Sequence, residues 1–370
     1  MKDIKTSSIP ILSVDKAVES LSSIYVSSIK NHIPFRYAPS IMLWGAPGVG
    51  KSQAIRQLGK KIERETGKKC RITDARLLLF NPIDLRGIPT ANQEKTLAVW
   101  LKPKIFDMDP SDEIVNILFL DEISAAPQSV QAAAYQITLD RVIGEHPLPE
   151  NCIVIAAGNR VTDKSVAFKM PRALANRLCH LEIESNFESW KAWAIRSGVS
   201  AKVIGFLSFR NDMLIENESL TDSLAFPTPR SWEAVSNLLM LTGGNQDKIF
   251  SMIAGLVGSG VATEFCSWCR VYNSLPKIED IFNGRCSTFP KETDTLYALV
   301  SSMTIYAREH RWDLDKIENS IKYAMNLPSD FSFVLMKNYM SIEADYKNVL
   351  MKIPTFSRWL STKGKYLNGN

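Results

Sequence analysis

Eight consecutive residues carry the strongest chemical signal in this sequence. Gly45-Ala46-Pro47-Gly48-Val49-Gly50-Lys51-Ser52 fits the spacing G-x-x-x-x-G-K-[ST]. Glycines let a backbone fold tightly enough for its N–H groups to surround phosphate oxygens, and a helix starting where the loop ends adds partial positive charge. In such a loop Lys51 reaches the β- and γ-phosphates, and the Ser52 hydroxyl is a ligand for magnesium.

A second signal is the run Ile117-Leu118-Phe119-Leu120-Asp121-Glu122, an apolar strand ending in two acids. Adjacent strand residues point to opposite sides, so the two carboxylates have different tasks. Beside a phosphate loop, Asp121 would hold magnesium through water, while Glu122 would orient or deprotonate an attacking water. The plain alternative is a strand that meets solvent at an acidic end; the loop upstream favours chemistry. An Asp-Glu pair there points to hydrolysis, since a kinase needs a base aimed at a substrate hydroxyl. Asn159 closes the next apolar run, Cys152 to Gly158. Placed between strand ends, its amide can bond both a γ-phosphate oxygen and the water. An isolated Asn in that place would be a turn former.

These residues need a scaffold, and the first half of the chain supplies one. Ile41–Trp44, Arg71–Leu79, Ile114–Leu120, Cys152–Ala157 and His180–Glu184 read as strands, the last nearer an edge. Val14–Ile29 and Ser52–Thr66 repeat apolar residues at helical spacing. Strands separated by helices predict a parallel sheet with right-handed crossovers. After Ser185 the strand signal fades and helical patterns take over, with a finer break expected at Gly243-Gly244-Asn245.

Composition narrows the function classes. Hydrophobic residues make up 45% and charged residues 22%, which excludes a disordered chain. The N-terminus shows no secretory pattern, and the uncharged stretch Ile249–Thr263 is too short to span a bilayer. Six cysteines are too sparse for a disulfide framework, so a cytoplasmic protein without membrane contact is expected. Net charge is +5, yet basic and acidic residues are nearly balanced in both halves, which argues against direct nucleic-acid binding. The basic cluster at Lys60, Lys61, Arg64, Lys68, Lys69 and Arg71 is interrupted by Glu63 and Glu65 and reads as a solvated helix face.

Taken in order, the motifs resemble those of AAA+ ATPases and, within them, the MoxR branch. The resemblance covers residues 35 to about 240. It rests on Gly45–Ser52, Asp84-Leu85-Arg86-Gly87 with Trp100-Leu101-Lys102-Pro103, and Asp121-Glu122-Ile123-Ser124. Gly158-Asn159, Pro171-Arg172-Ala173-Leu174-Ala175-Asn176-Arg177 and Pro227-Thr228-Pro229-Arg230-Ser231 complete it. It implies an α/β fold: an αβα sandwich around a five-stranded parallel sheet over 1–185, a helical lid over 186–244, and a further helical region over 245–370. A hairpin insertion is expected at about 84–103, in which Trp100 is an anchor, part of a pore loop, or core.

The resemblance also implies function. It makes the chain an ATP hydrolase using ATP and Mg2+, assembled as a homo-oligomeric ring, commonly a hexamer, that remodels a protein client. A von Willebrand A domain partner on a separate polypeptide is implied too. By the family pattern Arg177 is the arginine finger lent to a neighbouring site, with Arg172 a second candidate. Asn159 matches sensor 1 and Arg230 the lid arginine, sensor 2. An arginine in the 171–177 run also suits a helix C-terminus as a plain dipole partner. Asp140-Arg141 would face a subunit interface or form a surface ion pair. Two further readings stand beside this one: a motor of a nucleic-acid-processing or defence complex, and a ring scaffold that nucleotide only locks. Gly255–Gly260 lacks a following Lys-Ser and reads as a helix contact or loop. Cys266-Ser267-Trp268-Cys269 reads as buried helical cysteines rather than a zinc site.

Overall fold

The computed structural model describes residues 9–160, 170, 175–215 and 223–363. The chain divides into two compact units, Met1–Ser185 and Asn186–Asn370.

In the first unit the strands are β1 (Ile11–Leu12), β2 (Ile41–Trp44), β3 (Lys69–Arg76), β4 (Ile88–Ala91), β5 (Ala98–Leu101), β6 (Ile114–Asp121), β7 (Val142–Ile143), β8 (His146–Pro147), β9 (Cys152–Gly158) and β10 (Cys179–Ile183). Six of them form one parallel sheet in the order β1-β10-β2-β9-β6-β3. β4 and β5 pair as an antiparallel hairpin, as do the short β7 and β8. The central strands are covered on both faces, which is why they read as unbroken apolar runs. Val115, Ile117 and Phe119 of β6 point to one face, where they meet Leu21 and Tyr25 of α1 (Val14–Lys30) and Ile55, Leu58 and Ile62 of α2 (Lys51–Thr66). Leu118 and Leu120 point to the other, against Val130, Ala134 and Ile137 of α4 (Gln128–Asp140), with Leu85 of the short α3 (Pro82–Arg86) in the same cluster. Burying a residue such as Leu58 completely is worth about 1.5–3 kcal/mol, so these faces fix the sheet between its helices.

Three sequence expectations need correction here. The sheet has six strands instead of five, because Ile11–Leu12 pairs with Glu182 and Ile183 outside β10. Two residues are too few to leave a periodic signal. β3 stops at Arg76 rather than Leu79: its last partner is Asp121, where β6 ends, and Leu77–Leu79 turns into a 3-10 helix. Arg141 is half-buried and forms no ion pair with Asp140 among the described residues. It caps α4 in the left-handed conformation, and its guanidinium donates to the Cys152 carbonyl. Trp100 is half-buried on β5 opposite Pro89, and its carbonyl bonds His146 Nε2 at 2.7 Å.

The second unit is helical throughout its described residues. Its helices are α5 (Phe187–Ser197), α6 (Ala201–Phe209), α7 (Pro229–Leu241), α8 (Phe250–Val257), α9 (Ser259–Cys269), α10 (Ile278–Phe282), α11 (Thr293–Glu309), α12 (Leu314–Ala324), α13 (Ser329–Met340), α14 (Tyr346–Leu350) and α15 (Pro354–Thr362). A single core runs from Trp190 to Trp359, so helices on both sides of Gly243-Gly244 share it. Phe206, Trp232 and Phe265 lock its centre, with ring centroids 5.3–5.5 Å apart. Gly258 makes the corner between α8 and α9 at φ +86. Cys266 and Cys269 are buried in this core, and burial pushes the Cys269 thiol up to about 12.

Candidate nucleotide site

The loop between β2 and α2 has the backbone its glycines permit. Gly48 and Gly50 adopt positive φ, +79 and +106, and Gly50 caps α2 in the left-handed region. Gly45 packs so closely on β10 that a Cβ there would stand 2.5 Å from the Ile183 carbonyl oxygen. Ala46, Pro47 and Val49 complete the loop, and Val49 is buried against the α1/α2 side of the sheet.

Lys51 begins α2 and is buried, with its ammonium turned into the loop. Nζ donates to the carbonyls of Gly45 at 2.5 Å and Ala46 at 3.0 Å, and to Asn159 Oδ1 at 2.9 Å. Next to it Ser52 Oγ donates to Asp121 Oδ2 at 3.2 Å. The other Asp121 oxygen accepts the Glu122 N–H at 2.9 Å. That bond helps hold Glu122 in the left-handed conformation, φ +58, which non-glycine residues rarely adopt. Glu122 is half-exposed and leaves the strand direction there, so its carboxylate serves a different place from that of Asp121.

Asn159 is held from behind. Its N–H donates to Ser124 Oγ at 2.9 Å, and the buried Ser124 sits so close that a Cβ on Gly158 would meet the same oxygen at 2.7 Å. The turn after β6 is thereby tied to the end of β9, a link reinforced by the Ile123 N–H on the Ala157 carbonyl at 2.9 Å. All five groups lie at the carboxyl ends of adjacent parallel strands or at the helix that follows, where open α/β sheets place their ligands.

The arginines fall in different places. Arg177 is exposed in the turn before β10, and Arg230 is exposed in the first turn of α7, in the second unit. Neither has an ion pair or hydrogen bond among the described residues. Arg172 lies outside the described residues. The basic cluster on and after α2 is largely spoken for: Lys68 meets Asp112 at 2.6 Å, Arg71 meets Asp109 at 3.3 Å, and Lys61 lies 4.0 Å from Glu65.

Sequence reading missed several neighbours. Asp74 shares the α2 side of β3, and Arg76 lies two residues further along it. The Asp74 carboxyl is raised above its usual range, first by partial desolvation and then by the charge of Asp121, against the pull of Arg76 and Arg56. Its sequence signal was there: Asp74 and Arg76 alternate at the carboxyl end of a parallel strand. On the opposite sheet face, Trp44 bonds His180, and Arg160 pairs with the buried Glu182. No local pattern announces either contact.

The oxygen donors suit the expected ligands. A hydroxyl and a carboxylate 3.2 Å apart are hard donors of the kind magnesium takes, and an ammonium inside a glycine loop suits phosphate. Residues 40–180 match the model of the ATPase family associated with various cellular activities (AAA). Over these residues the chain is similar to an AAA ATPase domain. The fold is accordingly the AAA+ α/β sheet with its helices, accompanied by an extensive C-terminal helical region. The match covers less than half of the chain and leaves the second unit without a family. No curated protein matches the sequence. Among solved structures, a RuvB variant of Thermotoga maritima is 14% identical, with 79% of this chain and 85% of that chain covered at a TM-score of 0.35. NtrX from Brucella abortus is 14% identical, covering 91% and 67% at a TM-score of 0.35. At such scores neither likeness extends to function. No helix among the described residues is long and apolar enough to cross a membrane.

Proposed function

We propose that this AAA domain hydrolyses ATP with magnesium, and that the chain works as a ring-forming motor of MoxR type on a protein client. The observation that carries the reading is the convergence of Lys51, Ser52, Asp121, Glu122 and Asn159 at neighbouring strand ends. Ser52 and Asp121 would hold the metal, which when bound neutralises charge on the phosphates. Lys51 and Asn159 would bind the terminal phosphate, and Glu122 would take the proton of the attacking water. Such chemistry needs placed charges more than covalent help.

An exposed Arg177 with no partner among the described residues suits a cation offered to a neighbouring subunit, and Arg230 suits the lid role over 186–244. The hairpin β4–β5 stands where the MoxR resemblance expects its insertion, with Ile88, Leu97 and Leu101 exposed. A von Willebrand A partner on another polypeptide and a client-binding role for 245–370 belong to the same reading. The paired basic residues after α2 favour a protein client over nucleic acid.

The test is affinity capture with the Glu122→Gln form in Mg-ATP, together with light scattering. The expected result is a nucleotide-dependent oligomer that retains a von Willebrand A protein. A monomer under saturating ATP that releases no phosphate as wild type would end the reading.

A further inference from the structure

One half-buried imidazole joins the strand that feeds the phosphate loop to the turn that carries Arg177. The Trp44 indole N–H donates to His180 Nδ1 at 2.9 Å, and the rings lie within 15° of parallel. The other ring nitrogen, Nε2, is 2.7 Å from the Ala175 carbonyl. An indole N–H can only donate and a carbonyl can only accept. Nδ1 must therefore be bare and Nε2 must carry the hydrogen. Both partners fix one neutral tautomer, and neither contact can be inverted.

The two ends of this bridge sit at telling places. Trp44 is the last residue of β2 and is followed directly by Gly45, the first of the loop. The Ala175 carbonyl also accepts the Leu178 N–H at 3.3 Å, which closes a turn whose central residues are Asn176 and Arg177. The strand bearing His180 touches the loop again where Gly45 packs on the Ile183 carbonyl, and touches the end of β9 where Glu182 takes Arg160. β10 is thus a shared wall: phosphate loop and sensor strand on one side, arginine turn at its start.

We propose that His180 is a positioning residue that transmits the state of the phosphate loop to Arg177, and so to the neighbouring subunit. The proposal rests on the reading that the loop binds nucleotide and that Arg177 acts in trans. A shift of Trp44 on loop filling would pull on Nδ1, and the rigid ring would carry it to the Ala175 carbonyl. The coupling lies on the sheet face away from α2, so it is separable from nucleotide binding itself.

The experiment compares His180→Phe, which keeps an aromatic ring beside Trp44 but loses both hydrogen bonds, with His180→Gln, whose amide can accept and donate. His180→Phe should bind ATP within about twofold of wild type, while kcat falls roughly tenfold at unchanged KM. His180→Gln should recover much of that loss. Trp44→Phe, which removes the same bond from its other end, should reproduce the kcat defect and stands in if His180→Phe does not fold. Independently of turnover, 15N shifts of the nucleotide-free chain should show His180 as the Nε2–H tautomer. A wild-type kcat in a folded His180→Phe or Trp44→Phe, or an Nδ1–H tautomer, overturns the proposal. Arg177→Ala separates the two layers. If it is inactive while His180→Phe is active, only the coupling falls; if it keeps full activity, the trans reading falls and takes the coupling with it.

Discussion

Lys51 Nζ and Asn159 Oδ1 stand 2.9 Å apart, joining the start of α2 to the end of β9. The contact brings to one point the cation proposed to hold phosphate and the amide proposed to orient the attacking water. It also sets the order of the mutational effects expected at the site.

Replacing Lys51 by Ala removes the ammonium from the Gly45 and Ala46 carbonyls and from Asn159 together. Binding of ATP should weaken at least a hundredfold by fluorescent-nucleotide titration. Glu122→Gln, in contrast, should keep affinity and lose turnover by several powers of ten in single-turnover assays. Equal binding in Lys51→Ala would remove the loop from the mechanism.

Asn159→Ala tests the amide separately from its support. Removing one preorganised donor typically costs about 10²–10³ in rate. A fall of roughly that size in kcat, with ATP affinity reduced less than in Lys51→Ala, is expected from steady-state kinetics. Unaltered kcat would return Asn159 to the role of turn former.

Ser124→Ala leaves the half-buried Asn159 N–H without its acceptor on the buried Ser124. An unsatisfied buried donor costs about 1–3 kcal/mol. Chemical denaturation should register a loss in that range, and kcat should drop although Ser124 touches no reacting group. Gly158→Ala, which drives a methyl into the same Ser124 oxygen and into Met42, should be at least as damaging.

Lys191 offers a prediction about pH in the second unit. Burial lowers its pKa from the usual lysine value to about 8, helped by Lys337 and opposed by Glu188; its ammonium is 5.8 Å from the Phe187 ring centre. The folded chain then holds fewer protons than the unfolded one from about pH 8 up to the ordinary lysine range, so stability rises with pH across that window. Below it, the burial cost is fully present. Lys191→Met should therefore stabilise the protein at pH 7 by about 2–3 kcal/mol, an advantage that fades as pH climbs toward 10. A stability difference that does not change with pH would refute the assignment.

What could be read in the sequence was whatever is contiguous. The loop from Gly45 to Ser52, the acids after Leu120 and the amide after Gly158 each sit at the end of their own element, and periodicity placed those elements. The bonds of Ser124 to Asn159, Trp44 to His180 and Arg160 to Glu182 span long separations. They depend on β10 lying beside β2 and on the β6 turn folding toward β9, and no local window encodes strand order. β1 escaped notice for another reason: two residues give no pattern. Asp74 went unremarked because the charge it feels, Asp121, lies on the neighbouring strand β6, far along the chain.

β3 is an outer strand of the sheet, paired only with β6 among the described residues. Its free side is a row of amides and carbonyls that a foreign strand could adopt. Lys69, Arg71, Asp74 and Arg76 punctuate that row with charge, which makes stacking of one molecule's rim on another's unfavourable. The same residues that look like idle decoration therefore keep concentrated protein from knitting itself into insoluble ribbons.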